Sequence, residues 1–126
     1  MKVVFYLKSC NTCTRIIKEI KLDSSFEFRE IKSKPLSTEE IEMIYSLSKN
    51  YELIFNKRAK LFSEKKLKNV TLTELEYKNL ILNNYTFLKR PVIIIGNKIF
   101  IGNSKKCLGV KKISKRTIDY LQLLLL

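Results

Sequence analysis

Two cysteines three positions apart, in the segment Ser9-Cys10-Asn11-Thr12-Cys13, are the residues of this chain best suited to covalent chemistry. A thiol attacks as its thiolate, and the start of a helix favours that form because unpaired backbone N–H groups and the helix dipole stabilise an anion. The spacing puts Cys13 one helical turn further on, where it can attack a sulfur-linked intermediate on Cys10. The pair therefore points to redox or nucleophilic chemistry if a strand leads into it and a helix leaves it. The plainer alternative is two inert cysteines packed in a core.

The chain contains no histidine, which removes His-based general bases, Cys-His dyads and Ser-His-Asp triads. Three cysteines fall short of the four Cys or His ligands a structural zinc site requires. The third, Cys107, sits in Lys105-Lys106-Cys107-Leu108, where basic neighbours would depress its pKa. It has the option of resolving a disulfide with Cys10, but an adventitious cysteine is the reading we favour. Twenty-five Lys and Arg against 12 Asp and Glu give a net charge of +13, which attracts anions and acidic surfaces. These residues are scattered and no nucleic-acid-binding motif organises them, so most are read as solvated surface and no direct contact with nucleic acid is expected.

The elements that must position the cysteines follow from patterning. Lys2 to Leu7 is a β-branched and aromatic run, read as a buried strand entering the cysteine loop. From Cys13 to Leu22, Ile16, Ile17 and Ile20 recur at helical spacing, with Asn11, Thr12 and Thr14 as candidate caps. Phe26 to Ile31 alternates apolar and polar residues as a half-buried strand does, completing a βαβ unit with parallel strands. Ser37-Thr38-Glu39-Glu40 resembles a capping box, and helical character then continues to about residue 88, including a helix opened by Thr73-Glu74-Leu75-Glu76. Val92 to Ile95, Gly96-Asn97 and Lys98 to Ile101 read as a hairpin with a two-residue turn. Ile113, Ile118, Leu121 and Leu125 mark a closing helix.

Length and composition, with 126 residues, 45% hydrophobic and 29% charged, fit a single globular α/β domain spanning 1–126. The order β-α-β, helical insertion over about 37–88, β-β-α is that of a thioredoxin-like fold with a mixed four-stranded sheet. No apolar run approaches the roughly 20 residues of a membrane span, and the N-terminus lacks the pattern of a secretory signal, so a cytoplasmic, membrane-independent protein is expected.

Across nearly its full length the chain resembles the arsenate reductase ArsC/Spx family. The resemblance is carried by Tyr6-Leu-Lys-Ser-Cys10-Asn-Thr-Cys13, Leu53-Ile-Phe-Asn-Lys-Arg58, Phe87-Leu-Lys-Arg90-Pro91-Val-Ile-Ile-Ile95 and Ile99-Phe-Ile-Gly-Asn103. It implies a thiol oxidoreductase with no bound cofactor, in which Cys10 is the nucleophile that attacks a small oxyanion. Arg58 and Arg90 would hold the anion and stabilise the thiolate, a task suited to the planar donor fork of arginine. Asn11 and Thr12 would flank the substrate, and Pro91 would stand as a cis proline beside the active cysteine. Glutathione with glutaredoxin, or thioredoxin, would restore the thiol. Cys13 matches the Spx pattern, in which the cysteine pair is a redox switch on a regulator that binds RNA polymerase, so that function is the alternative. A monomer is expected in either case. The stretch Ile101-Gly102-Asn103 carries no third arginine, so arsenate reduction is expected to be weak and dependent on an added thiol system.

Overall fold

The computed structural model of the chain describes residues 1–22, 24–102 and 110–112. The expected closing helix and Cys107 lie outside the described residues. The elements run β1 (Lys2–Tyr6), α1 (Asn11–Ile20), β2 (Glu27–Glu30), α2 (Thr38–Ser48), α3 (Tyr51–Ile54), α4 (Lys60–Glu64), α5 (Glu74–Asn83), a 3-10 turn (Tyr85–Phe87), β3 (Val92–Ile95), β4 (Lys98–Ile101) and β5 (Val110–Lys112).

The four strands read from the sequence form one mixed sheet, which β5 extends, in the order β2-β1-β3-β4-β5. β1 pairs in parallel with β2 and antiparallel with β3, so it lies between neighbours and carries the cysteine loop at its end. β3 and β4 form the expected hairpin, with Ile95 opposite Lys98 and Gly96 at φ 61 in the turn. That conformation suits glycine because a Cβ penalises the left-handed region. The parallel pairing of β5 with β4 was not legible beforehand, because three residues containing two lysines carry no strand pattern of their own.

Side-chain alternation gives the sheet two apolar faces, each covered. On one, Val4, Ile93 and Phe100 pack with Ile16 and Ile20 of α1 and with Phe26. On the other, Val3, Phe5, Val92, Ile94, Ile99 and Ile101 meet the helical segment between β2 and β3 through Ile41, Ile44, Ile54, Phe55, Ile81 and Phe87. Ser37 and Thr73 each close a full capping box, with Glu40 and Glu76 respectively. These satisfy N-terminal N–H groups and fix where α2 and α5 begin.

β2 departs from the alternation its sequence suggests. Phe28 is 42% exposed, whereas Arg29 is only 4% exposed. The inversion follows from what α2 presents to that face of the strand. Glu40 accepts from both Nε and Nη2 of Arg29, Lys34 and Pro35 supply carbonyl acceptors, and the guanidinium lies over the Phe5 ring. A buried charge so satisfied is tolerated, and Phe28 is left to make an edge contact with Tyr6 on the other face.

Candidate active site

The helix carrying the cysteines begins earlier than the apolar periodicity suggests, at Asn11, and its cap is Cys10 itself. The Cys10 Sγ accepts from the Cys13 backbone N–H at 3.5 Å, while the Cys10 carbonyl accepts from Thr14. Asn11, Thr12 and Thr14 therefore do not cap α1, because sulfur takes the place a Ser or Asp oxygen would occupy. Cys10 stands at the mouth of the sheet, half-buried, whereas Cys13 is fully buried behind it on the inner face of α1.

The two thiols have opposite tendencies. Burial alone would push the Cys10 thiol up, but the backbone and side-chain hydrogen bonds from Cys13 and the Arg90 guanidinium outweigh it and leave its pKa lowered. At Cys13 burial dominates, and the thiol is pushed up to about 12. Of the two thiols, Cys10 is thus the one shifted toward its thiolate, and Cys13 holds its proton while it stays buried.

Arg58 and Arg90 lie 32 positions apart in sequence but reach the same cavity as Cys10. Short-range hydrogen bonds bring their segments together. The Lys89 N–H donates to the Ile54 carbonyl at 2.8 Å, the Asn56 N–H to the Phe87 carbonyl at 2.7 Å, and Phe55 forms an antiparallel bridge with Leu88. Asn56 adds its side chain, donating to the Thr86 carbonyl and accepting from the Arg58 N–H, both at 3.1 Å. Arg90 is oriented by donation from Nη1 to the carbonyls of Thr86 and Leu88. Its Nε is buried with no partner among the described residues.

The cavity measures about 590 Å³ and is lined by Cys10, Arg58, Arg90, Lys57, Lys89, Asn56, Glu52, Leu53 and Phe55. Of the residues singled out from sequence, Cys10, Arg58 and Arg90 meet here. Cys13 lies behind Cys10, and Asn11 and Thr12, in the first turn of α1, are not among the lining residues. Pro91 is buried and follows a cis peptide bond from Arg90. Its carbonyl accepts from the Gly102 N–H at 2.9 Å, which anchors the start of β3 to the end of β4. Glu52 was missed as a site residue, since nothing in Tyr51-Glu52-Leu53 distinguishes it from a solvated helix carboxylate.

A strand-loop-helix with a cysteine pair at the helix start, set in a mixed sheet, defines a thioredoxin-like thiol protein. Residues 5–110 match the ArsC family, and the chain belongs to that family. The chain is 31% identical over 104 residues to the global transcriptional regulator Spx of Streptococcus mutans, covering 81% of this chain and 76% of that protein. An ArsC family related protein from Bacteroides fragilis shares the fold with a TM-score of 0.70 at 20% identity, covering 95% of this chain and 96% of the other. An arsenate reductase from Vibrio cholerae does so with a TM-score of 0.63 at 14% identity, covering 78% and 86%. None of the described helices is long and apolar enough to cross a membrane.

Proposed function

We propose that the protein is a cytoplasmic thiol-dependent oxidoreductase acting on a small oxyanion or a disulfide, with Cys10 as nucleophile and Cys13 as resolving thiol. Arg58 and Arg90 hold negative charge on the substrate and stabilise the Cys10 thiolate, the Cys13 N–H donates to the reacting sulfur, and Asn11, Thr12 and Pro91 flank the substrate. The observation that carries this reading is that Cys10 and both arginines line one cavity.

With arsenate, the Cys10 thiolate displaces an oxygen that leaves as water. A second thiol then attacks the Cys10 sulfur, the S–As bond breaks with its electron pair passing to arsenic, and arsenic(III) departs as Cys10 becomes a disulfide. The second thiol is Cys13 or glutathione, and glutathione with glutaredoxin, or thioredoxin, returns the pair to dithiol. Two electrons pass to the substrate and two thiols become one disulfide.

The similarity to Spx favours a second reading, in which the same Cys10-Cys13 oxidation is a switch that alters affinity for RNA polymerase. A steady-state assay with arsenate, glutathione and glutaredoxin on wild type, Cys10→Ser, Cys13→Ser and Arg90→Ala separates the two. Turnover that requires Cys10 and falls with Arg90→Ala supports the enzyme. No turnover with any oxyanion or disulfide, together with capture of RNA polymerase that depends on oxidation state, replaces it with the regulator.

A further inference from the structure

The cavity around Cys10 is strongly basic, yet one of its lining residues is a carboxylate, Glu52. A site built only for a bare oxyanion gains nothing from an acidic group, which repels the ligand. The Glu52 side chain is half-exposed at the rim of the cavity, but its carboxylate is tethered. Its Oε2 accepts from the Tyr77 hydroxyl at 2.8 Å and from Lys57 Nζ at 3.1 Å. Tyr77 is 6% exposed and stacks at a tilt on Phe55, so the carboxylate is held from outside the cavity by a core residue. The hydrogen bonds from Tyr77 and Lys57 lower its pKa, which favours the charged carboxylate. Both bonds fall on Oε2, so neither engages Oε1. At about 590 Å³ the cavity is also within the range for small organic ligands rather than a single tetrahedral ion.

We infer that Glu52 selects a substrate that carries an ammonium group as well as negative charge, namely a disulfide of an amino-acid-type thiol. Its ammonium rests on Glu52 and its carboxylate on Arg58 or Arg90 while Cys10 attacks sulfur. The inference rests on the thiol-oxidoreductase reading above. In the reaction the Cys10 thiolate displaces one thiolate from the substrate disulfide, forming a mixed disulfide, and the leaving thiolate takes a proton from water. Cys13 then loses its proton, attacks the Cys10 sulfur and releases the second thiolate, which is protonated in turn. The substrate gains two electrons and becomes two thiols, and the protein is left with a Cys10-Cys13 disulfide.

The test is single-turnover oxidation of the fully reduced chain, with no added reductant, by four small symmetric disulfides differing in charge: cystine, cystamine, 3,3′-dithiodipropionate and 2-hydroxyethyl disulfide. Rates are followed by thiol loss and by mass, and each is normalised to the neutral 2-hydroxyethyl disulfide. Because the leaving thiols differ in pKa, the readout is the cystine-to-dithiodipropionate ratio of wild type divided by that of Glu52→Gln, which cancels the leaving-group effect. This quotient should be about fivefold, the scale of one partly exposed ion pair. Glu52→Asp, which keeps the charge, should stay close to the wild-type ratio. Unchanged normalised rates in Glu52→Gln would overturn the inference while leaving the thiol chemistry intact, and would mean that Glu52 merely neutralises Lys57. If no disulfide, neutral or charged, oxidises Cys10, the oxidoreductase reading falls and this inference with it.

Discussion

Gly102→Ala offers a test of how the sheet holds the site, at a position that touches neither cysteine. A Cβ at Gly102 would lie 2.7 Å from the Arg90 carbonyl oxygen, 2.7 Å from Pro91 Cδ and 3.1 Å from the Arg90 carbonyl carbon. These are backbone and ring atoms that cannot rotate aside, so the chain itself must shift. Overpacking of this kind costs about 1–3 kcal/mol. Weakening the hydrogen bond from the Gly102 N–H to the Pro91 carbonyl adds about 1 kcal/mol. At roughly 3–5 °C per kcal/mol for a chain of this length, the melting temperature should fall by about 6–20 °C. The same shift moves the Arg90 guanidinium, whose attraction helps lower the Cys10 pKa, so the pH profile of Cys10 alkylation should move upward. Gly96→Ala is the control. It is strained by φ +61 but its Cβ meets nothing within 4 Å, so it should lose stability while leaving the alkylation profile in place. Gly102→Ala with wild-type melting and a wild-type alkylation profile would refute the claim that this contact positions Arg90.

Three further outcomes are expected. Arg90→Ala should raise the Cys10 pKa and slow its alkylation at neutral pH, read by mass spectrometry across a pH series, because a charge that favours the thiolate has been removed. Cys13→Ser should accumulate a stable mixed disulfide on Cys10 when treated with a small disulfide, whereas wild type should proceed to an intramolecular disulfide. Equal accumulation in both proteins would remove Cys13 as the resolving thiol. Glu40→Gln should destabilise the fold by about 3–5 kcal/mol in chemical denaturation, since it leaves the buried Arg29 charge without its partner. Because hydrogen bonding from Arg29 depresses the Glu40 pKa, the stability it contributes is present above the unfolded carboxylate value of about 4.3 and is lost as pH falls through the lower folded value. Glu40→Gln should therefore flatten the acid limb of the stability curve.

Local chemistry written into adjacent residues was legible in the sequence. The β-branched run of β1, the apolar spacing of Ile16 and Ile20, the capping boxes at Ser37 and Thr73 and the Gly96-Asn97 turn each depend on interactions within a few positions. Such signals survive in one dimension. The placement of Cys10 between strand and helix was legible for the same reason, and with it the expectation of a reactive thiol. Which residues surround that thiol was a different matter. Arg58 and Arg90 could be singled out one by one, but their convergence depends on the Phe55-Leu88 bridge and the Asn56 hydrogen bonds, which join segments some 30 residues apart. The burial of Arg29 in place of Phe28 was likewise invisible in the alternation of β2. It was decided by the arrival of Glu40 from α2, because a charge can be buried only where a partner from elsewhere in the fold compensates its lost hydration. Glu52 belongs to this second kind as well. On its own helix it is an ordinary carboxylate, and only the tertiary structure brings the Tyr77 hydroxyl to it and sets it in the cavity that Cys10 lines.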